Sequence, residues 1–332
     1  MSVQKIDAAE NATLRMIFFR TPKFWYRRPN IIQKLLLKPV ANIYSRISTR
    51  NYCGDYFYKS SKAKVIAVGG ITVGGSGKTL VTRFIGEFLQ SRGKKVAVLS
   101  RGFGRSSSKI LKTDSSIHSY KDVGDEPLLL SRFVPVYVGK NRAKAAQSAE
   151  ADGAEYLILD DGITQKYLKP DLKLVVIDSE QRLGNGEMFP LGPNRLNFEK
   201  IKFDIDGIIV LAPNESGFFI FDEKIPTFFG KIRTSLPENK KLIAFCGIGY
   251  PDKFFNSLEN CEEKIAFPDH YPFSDEDIRQ LLLKAKNSDA RLVTTEKDLM
   301  RIPLKYHDKI TAVSASISAI NFPDDFFGEG IK

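Results

Sequence analysis

One stretch of this 332-residue chain indicates its fold most clearly: Val65-Ile-Ala-Val-Gly-Gly-Ile-Thr-Val-Gly-Gly-Ser-Gly-Lys-Thr79. A short apolar run leads into a glycine-rich segment, and a helical pattern follows Gly-Lys-Thr. This order of strand, glycine-rich loop, Gly-Lys-Thr and helix is the phosphate-loop motif, in which the loop cradles the phosphates of a nucleoside triphosphate. The nucleotide contacts that we expect are Thr72, Val73, Gly74, Gly75, Ser76, Gly77, Lys78 and Thr79.

The residues of this loop have separate expected roles. The glycines allow backbone N–H groups to approach phosphate oxygens, and the following helix directs its positive end at the same oxygens. Lys78 would reach the β- and γ-phosphates, and the Thr79 hydroxyl would be a ligand of Mg²⁺. Thr72 departs from the strict pattern, which has glycine at that position. The alternative is a glycine turn that carries Gly-Lys-Thr by chance.

A second apolar run, over residues 156–159, ends in the carboxylates Asp160 and Asp161. Acidic residues at the end of a strand complete the Mg²⁺ site in enzymes with a phosphate loop. We therefore predict that Asp160 and Asp161 are metal ligands beside Thr79. The alternative is a solvated Asp-Asp-Gly turn after a strand.

Short β-branched runs alternate with helical patterns along the chain, which predicts an α/β fold with a mainly parallel sheet around a P-loop NTPase core. Parallel strands that are buried on both faces have continuous apolar sequences, and the β-branched runs of this chain are continuously apolar. The predicted strands are 65–68, 96–100, 135–138, 156–159, 174–177, 207–211, 242–246, 290–294 and 310–313, with a helix over 275–287.

The alternation breaks between residues 213 and 229, where two prolines and several phenylalanines follow no clear period. We expect a domain boundary there. The predicted organisation is a membrane-associating segment over 1–50, the P-loop core over 51–215, a hinge over 216–231 and a smaller C-terminal α/β domain over 232–332.

The formal charge of +11 is concentrated near the N-terminus. The window from residue 11 to residue 54 has no acidic residue and nine basic ones: Arg15, Arg20, Lys23, Arg27, Arg28, Lys34, Lys38, Arg46 and Arg50. A predicted helix in this window begins at Asn30 as its cap and has an apolar stripe, and Pro39 is expected to kink or divide it. Such a helix is typical of a membrane surface. The alternative is a helix packed on the protein's own core with a solvated basic face.

The composition excludes several classes of protein. With 42% hydrophobic and 27% charged residues, the chain is not a disordered protein, a collagen or a disulfide-rich miniature scaffold. Its three cysteines are not spaced as a zinc or redox pair, which fits a reducing compartment. No apolar run reaches the ~18 residues of a spanning helix, and we expect no secretory signal.

Further short motifs follow one another in a fixed order: Ser100-Arg-Gly-Phe-Gly-Arg105, Val123-Gly-Asp-Glu-Pro127, Leu159-Asp-Asp-Gly162, Gly184-Asn-Gly186, Pro190-Leu-Gly-Pro193, Cys246-Gly-Ile-Gly249, Phe267-Pro-Asp-His270 and Thr295-Glu-Lys-Asp298. With the phosphate loop, this series resembles the tetraacyldisaccharide 4'-kinase family, the lipid A pathway kinases of Gram-negative bacteria. The resemblance covers about residues 24–298, and the family's threonine at the first loop position accounts for Thr72.

The resemblance implies an activity and a location. Family members transfer the γ-phosphate of Mg-ATP to the 4'-hydroxyl of a tetraacylated glucosamine disaccharide 1-phosphate. They are monotopic proteins on the cytoplasmic face of the bacterial inner membrane. The expected partners are therefore the acylated disaccharide and the membrane lipid surface, with no nucleic acid and no obligate protein partner.

The resemblance also implies roles for single residues. A sugar hydroxyl is a poor nucleophile near neutral pH, so a carboxylate should take its proton. Asp125 matches the family's proposed base and His270 the histidine that pairs with it, and both are expected to be catalytic with Lys78. Without the family match, His270 is more readily a structural histidine. Candidate contacts to the substrate or to phosphate are Arg101, Arg105, Arg142 and Arg195.

Two positions depart from the family pattern. Gln165 stands where the family has histidine, and Leu196 where it has glutamate, so no role is transferred to either. The roles of Lys297 and Asp298 are left open. A different function class, a P-loop GTPase or ATPase switch recruited to the membrane by its basic N-terminus, is the main alternative. An RNA-binding NTPase is a third, although the chain has no nucleic-acid module signature.

Overall fold

The computed structural model describes residues 22–60, 62–235, 241–323 and 325–328. Within them the helices are α1 (Ile31–Cys53), α2 (Lys78–Ser91), α3 (Tyr120–Val123), α4 (Asp125–Leu130), α5 (Arg142–Ala151), α6 (Phe198–Ile201), α7 (Pro251–Asn256), α8 (Asp275–Asn287) and α9 (Glu296–Leu299). The strands are β1 (Lys64–Gly69), β2 (Val96–Ser100), β3 (Leu111–Lys112), β4 (Val136–Val138), β5 (Tyr156–Leu159), β6 (Leu172–Asp178), β7 (Gly207–Ala212), β8 (Thr227–Thr234), β9 (Leu242–Cys246), β10 (Cys261–Ala266), β11 (Arg291–Thr295), β12 (Thr311–Val313) and β13 (Ala315–Ile320). Short 3₁₀ turns occupy Lys23–Tyr26, Lys202–Asp204, Glu215–Gly217 and Leu304–Lys309.

The described strands form a large, mainly parallel sheet in the order β13-β8-β7-β6-β1-β5-β2-β4-β3. Neighbours from β8 to β4 are parallel, and only β3 is shown antiparallel to its neighbour β4. The predicted α/β class is confirmed. Every predicted strand is present, and the largest difference at an end is two residues, at 172 instead of 174.

The phosphate loop lies at the centre of one edge of this sheet, because it follows β1, which is an interior strand. The side chains of β1 and β5 are almost entirely excluded from solvent, as a strand with covered faces requires. Helix α2 packs beside them through Val81, Ile85 and Leu89, which recur every four residues and are fully buried. The carboxyl ends of β1 and β5 therefore bring the glycine loop and the Asp160–Asp161 pair to one edge of the sheet.

The chain divides into two compact units, and the boundaries differ from the predicted ones. One unit contains residues 23–233 and the segment from Ser316 onward, and the other contains residues 234–315. The predicted hinge, 216–231, includes the beginning of β8, which is paired in parallel with β7. The prolines before β8 obscured its alternating burial in the sequence.

The last segment belongs to the first unit rather than to the predicted C-terminal domain 232–332. Strand β13 is placed beside β8, and an aromatic cluster follows it. Phe322 and Phe327 pack against Phe88 of α2, and Phe326 packs against Phe228 of β8. Burial of these rings gives a physical reason for the return of the chain to the first sheet.

The 234–315 unit is a smaller α/β body. Its described strands form a parallel sheet in the order β10-β9-β11-β12. Helix α8 begins with a capping box at Ser274, which accepts a hydrogen bond from the Asp277 N–H, and it buries Ile278, Leu281 and Ala285. The predicted helix 275–287 and the predicted α/β character of this part of the chain are thereby confirmed.

Helix α1 presents an apolar face to solvent. Asn30 and Gln33 form a capping box at its start, as the sequence predicted for Asn30. The helix continues through Pro39 without interruption, so the expectation that Pro39 divides it was wrong. Exposed apolar side chains along the helix are Ile31, Ile32, Leu35, Leu36, Val40, Ile43 and Ile47. Residues 1–21 of the predicted 1–50 segment, with Arg15 and Arg20, lie outside the described residues.

Among the residues that the structure describes, no helix combines the length and the apolarity that are needed to cross a membrane.

Candidate active site

The glycine loop runs from the end of β1 to the start of α2. Gly77 precedes the helix in the left-handed region, with a φ of 86°, and a Cβ at this position would collide with the Leu211 side chain. Only glycine satisfies both conditions without strain. At Gly74 and Gly75 a Cβ would meet no atom within 4 Å, so the loop faces open space there.

Lys78, the first residue of α2, turns back over the loop. Its Nζ donates a hydrogen bond to the Gly74 carbonyl at 3.2 Å. Burial by surrounding protein atoms lowers the pKa of Lys78, although Asp161 opposes this effect. Next to it, the Ser76 hydroxyl is buried without a hydrogen-bond partner in the described residues. The loop therefore holds one cation and one unsatisfied hydroxyl at the position expected for phosphates.

The two carboxylates after β5 have opposite environments. Asp160 is buried and accepts a hydrogen bond from the Thr82 hydroxyl at 3.2 Å. Burial, together with the nearby Glu126 and Asp161 carboxylates, raises the pKa of Asp160 to about 7. For Asp161, burial alone would raise the pKa, but Lys78 and Arg195 outweigh it and hold the pKa well below its ordinary value.

Arg195 connects the carboxylate pair with the phosphate loop. Its guanidinium binds both oxygens of Asp161, one of them at 2.8 Å, and donates to the Gly70 carbonyl at 3.0 Å. The backbone N–H of Arg195 donates to the Ile71 carbonyl, and the backbone N–H of Val73 donates to the Pro193 carbonyl at 2.7 Å. The segment 193–195 thus fixes the entry to the glycine loop and the orientation of Asp161.

The N-terminal elements are anchored on residues 187–190, directly before that segment. The Trp25 Nε1–H donates to the Pro190 carbonyl at 2.9 Å, and Lys38 of α1 forms an ion pair with Glu187 at 2.6 Å. The Tyr44 ring contacts Phe189. Burial raises the pKa of Tyr44, and the nearby Arg195 opposes this effect only in part. Helix α1 therefore lies close to the phosphate loop.

The other predicted arginines lie around the same edge. Arg142 is buried at the start of α5 and donates to the Gly139 carbonyl at 3.1 Å. Burial and the nearby Arg101 lower the pKa of Arg142 to about 10, against the effect of Asp160 and Asp161. Arg105 folds over Gly102, and its three guanidinium nitrogens have no hydrogen-bond partner in the described residues.

Asp125 begins α4 directly beside the loop that carries these arginines. Its side chain is buried, and its carboxylate accepts a hydrogen bond from the Glu126 N–H at 2.9 Å. The preceding Gly124 packs against the backbone of Gly102 and Phe103. The adjacent Glu126 is close enough to Asp160 to raise its pKa, so Asp125 lies near the carboxylate pair.

His270 belongs to the other unit, 234–315. It has a φ of 56°, and its N–H is directed at the Gly247 carbonyl and the Asp269 carboxylate, both at 3.0 Å. Its ring nitrogen lies 3.9 Å from the same carboxylate. The pairing of His270 with Asp125 stays a prediction.

A family model for tetraacyldisaccharide-1-P 4'-kinase matches residues 33–327 of the chain. The chain belongs to this family. The match includes the phosphate loop, the carboxylate pair and the part of the second unit that carries His270. The resemblance inferred from the order of the motifs is thereby confirmed.

Individual members of the tetraacyldisaccharide 4'-kinase family are similar over most of their length. The enzyme from a Bradyrhizobium species is 36% identical over 297 residues, which cover 85% of each chain. The enzyme from Hyphomonas neptunium is 35% identical over 88% of this chain and 92% of its own. A crystal structure of LpxK from Aquifex aeolicus in complex with ATP superposes with a TM-score of 0.69 at 25% identity, covering 88% of this chain and 96% of that one.

Against this family background, two residues of the site were not predicted from the sequence. Thr82, one turn after Thr79 on α2, binds Asp160, and Glu126, the neighbour of the predicted base, acts on the Asp160 pKa. The spacing of three residues from Thr79 to Thr82 on one helix face is a signal that could have revealed the first. No local pattern distinguishes Glu126 from a solvated carboxylate.

Proposed function

We propose that this kinase family member is an ATP-dependent lipid kinase that transfers the γ-phosphate of Mg-ATP to the 4'-hydroxyl of tetraacyldisaccharide 1-phosphate. The observation that carries the proposal is the open glycine loop with Lys78 folded over it, next to two carboxylates at the end of the neighbouring strand. Phosphoryl transfer needs these parts: backbone donors, a cation and oxygen ligands for Mg²⁺. The related Aquifex aeolicus protein was crystallised with ATP.

The residues present fit a bound Mg-nucleotide. The open space at Gly74 and Gly75 leaves their backbone available to phosphate oxygens, and the partnerless Ser76 hydroxyl can contact one as well. Asp160, Asp161 and the Thr79 hydroxyl supply the oxygen atoms that Mg²⁺ prefers. Within the described part of the chain, no group of three or more His, Cys, Asp or Glu side chains could hold a metal ion by itself. Bound Mg²⁺ would neutralise charge on the phosphates.

The protein's own residues then have distinct tasks. Lys78 holds the terminal phosphates, and Arg195 holds Asp161 ionised and oriented. Asp125 takes the proton of the sugar hydroxyl as that oxygen attacks the γ-phosphorus and the bond from this phosphorus to the leaving ADP oxygen breaks. His270 has the catalytic role that the family resemblance implies for it. Arg105 lies against Gly102, whose backbone packs on the Gly124 that precedes Asp125. Arg101 belongs to the same loop, and both guanidinium groups would bind an anionic group of the acceptor.

The acceptor carries four acyl chains, so the site must operate beside a lipid leaflet. The exposed apolar face of α1, with Lys34 and Lys38 on the same helix, suits the boundary between acyl chains and anionic head groups. A packed-core role for α1 is disfavoured, because only Ala41 and Tyr52 of this helix are buried. We propose a monotopic location on the cytoplasmic face of the inner membrane.

The test is a transfer assay with labelled ATP, Mg²⁺ and the acylated disaccharide 1-phosphate in mixed micelles. The Lys78→Ala variant should lose about 100-fold or more of the rate, because a preorganised cation on the phosphates is removed. Lys200→Ala, at an exposed lysine of α6, is the matched control and should retain it. Full turnover by Lys78→Ala would contradict the assignment. ATP hydrolysis by the wild-type protein without transfer to the lipid would favour the switch or adaptor alternative.

A further inference from the structure

The Thr295-Glu-Lys-Asp298 motif forms a buried polar clamp in the 234–315 unit. The Asp298 side chain is completely buried and accepts hydrogen bonds from the Thr295 hydroxyl at 2.6 Å and from the Gly247 N–H at 3.0 Å. Arg301, also buried, forms an ion pair with the same carboxylate and donates to the Gly247 carbonyl at 2.8 Å. Both polar groups of Gly247 are therefore held by one ion pair.

Gly247 in turn holds the turn that carries His270. Its carbonyl accepts the His270 N–H at 3.0 Å as well as the Arg301 guanidinium. A Cβ on Gly247 would lie 2.9 Å from the Pro268 carbonyl and 3.1 Å from the Tyr271 Cβ, so the turn rests directly on this glycine. A shift of Gly247 is transmitted to residues 268–271 by steric contact and by the hydrogen bond.

The backbone of His270 needs such support. Its φ of 56° is in the left-handed region, which is unfavourable for a non-glycine residue and persists only where neighbouring groups enforce it. The bond to Gly247 and the bond to its own neighbour Asp269 are the constraints on its N–H. A buried ion pair is a poor source of net stability, which points to a role in specifying conformation.

We propose that Asp298 and Arg301 are positioning residues that set the orientation of His270 through the Gly247 peptide. This inference rests on the proposed function for the catalytic importance of His270, and it assigns a role to the Thr-Glu-Lys-Asp motif, which the phosphate site does not use.

The first readout is the NMR signal of the His270 imidazole in uniformly histidine-labelled protein. The chain has three histidines, and His118 in the other unit serves as the internal reference. Arg301→Met should displace the His270 signal and leave the His118 signal in place. Lys305→Met, which removes an exposed ion pair with Asp275 in the same unit, is the matched control and should move neither. The Asp298→Asn/Arg301→Met double variant leaves no unpaired buried charge. It replaces Arg301→Met in the measurement if the single variant is unfolded at the temperature of the experiment.

The second readout is kinetic. Arg301→Met should lower kcat about tenfold or more with little change in the KM for ATP, because a small misplacement of a catalytic group is costly. In a His270→Ala background the same substitution should change kcat by less than about twofold, since it acts through His270. An unmoved His270 signal in the folded variants, or an equal kcat loss in both backgrounds, would overturn the proposal. If His270→Ala alone leaves kcat unchanged, the proposed catalytic role of His270 fails, whereas the NMR signal still decides the positioning.

Discussion

Two adjacent carboxylates at the end of β5 differ because their partners differ. Asp161 lies half-exposed beside two cations and stays ionised, whereas Asp160 is buried beside further carboxylates and holds its proton to about pH 7. Divergent pKa values in one site are typical of groups with separate chemical tasks. Asp161 therefore stays ionised, whereas Asp160 is only partly ionised at neutral pH.

The raised pKa of Asp160 predicts a cost to stability that depends on pH. The folded state binds the proton up to about pH 7 and the unfolded state only to about pH 4, so stability falls as pH rises between these values. Asp160→Asn should therefore raise the free energy of unfolding of the nucleotide-free protein at pH 8, by at most about 4 kcal/mol. The gain should disappear near pH 4, and phosphoryl transfer should be lost.

Chemical denaturation of the wild-type protein and of Asp160→Asn at both pH values measures this difference. Asp152→Asn, at an exposed carboxylate paired with Lys112, is the control for a general change in charge. Equal free energies of unfolding for Asp160→Asn and wild type at pH 8 would mean that folding does not raise the pKa of the Asp160 carboxyl.

At the level of elements, the local sequence predicts helix α1 well, and this helix buries only Ala41 and Tyr52. Asn30 and the following apolar stripe indicated a capped amphipathic helix, and the structure has it from Ile31 to Cys53. Its contacts to Glu187 and Phe189 were not predictable, because they join residues about 150 positions apart. Pro39 does not divide the helix, which continues through it.

The exposed face of α1 predicts that binding to anionic vesicles depends on its leucines. Leu35 and Leu36 are 76% and 65% exposed, and a fully buried leucine contributes roughly 1.5–3 kcal/mol. Leu35→Gln/Leu36→Gln should weaken vesicle binding by at least about tenfold, while glutamine keeps the helix propensity. Leu304→Gln, at an 81% exposed leucine of the other unit, is the control in the same flotation assay. Equal binding by both variants would exclude α1 as the membrane contact.

For the whole molecule, the sequence predicted what short-range patterns determine. Continuous apolar runs identified the strands of both sheets, and Gly-Lys-Thr located the nucleotide loop. Three features depend on distant contacts and were therefore missed: the capture of Asp161 by Arg195, the insertion of β8 beside β7, and the return of the phenylalanine-rich C-terminal segment to the first unit. The order of the motifs compensated for this limit, because it indicated the family directly.

In the function that we propose, a triphosphate held by the glycine loop is the phosphoryl donor for a lipid-linked sugar. The most direct measurement is ³¹P NMR with mass spectrometry of the lipid product after incubation with ATP, Mg²⁺ and tetraacyldisaccharide 1-phosphate. The wild-type protein should add one phosphate at the 4'-oxygen, and Asp125→Asn should form the same product about 100-fold more slowly at unchanged ATP affinity. An unmodified lipid after complete ATP consumption, or phosphate at another oxygen, would contradict the account.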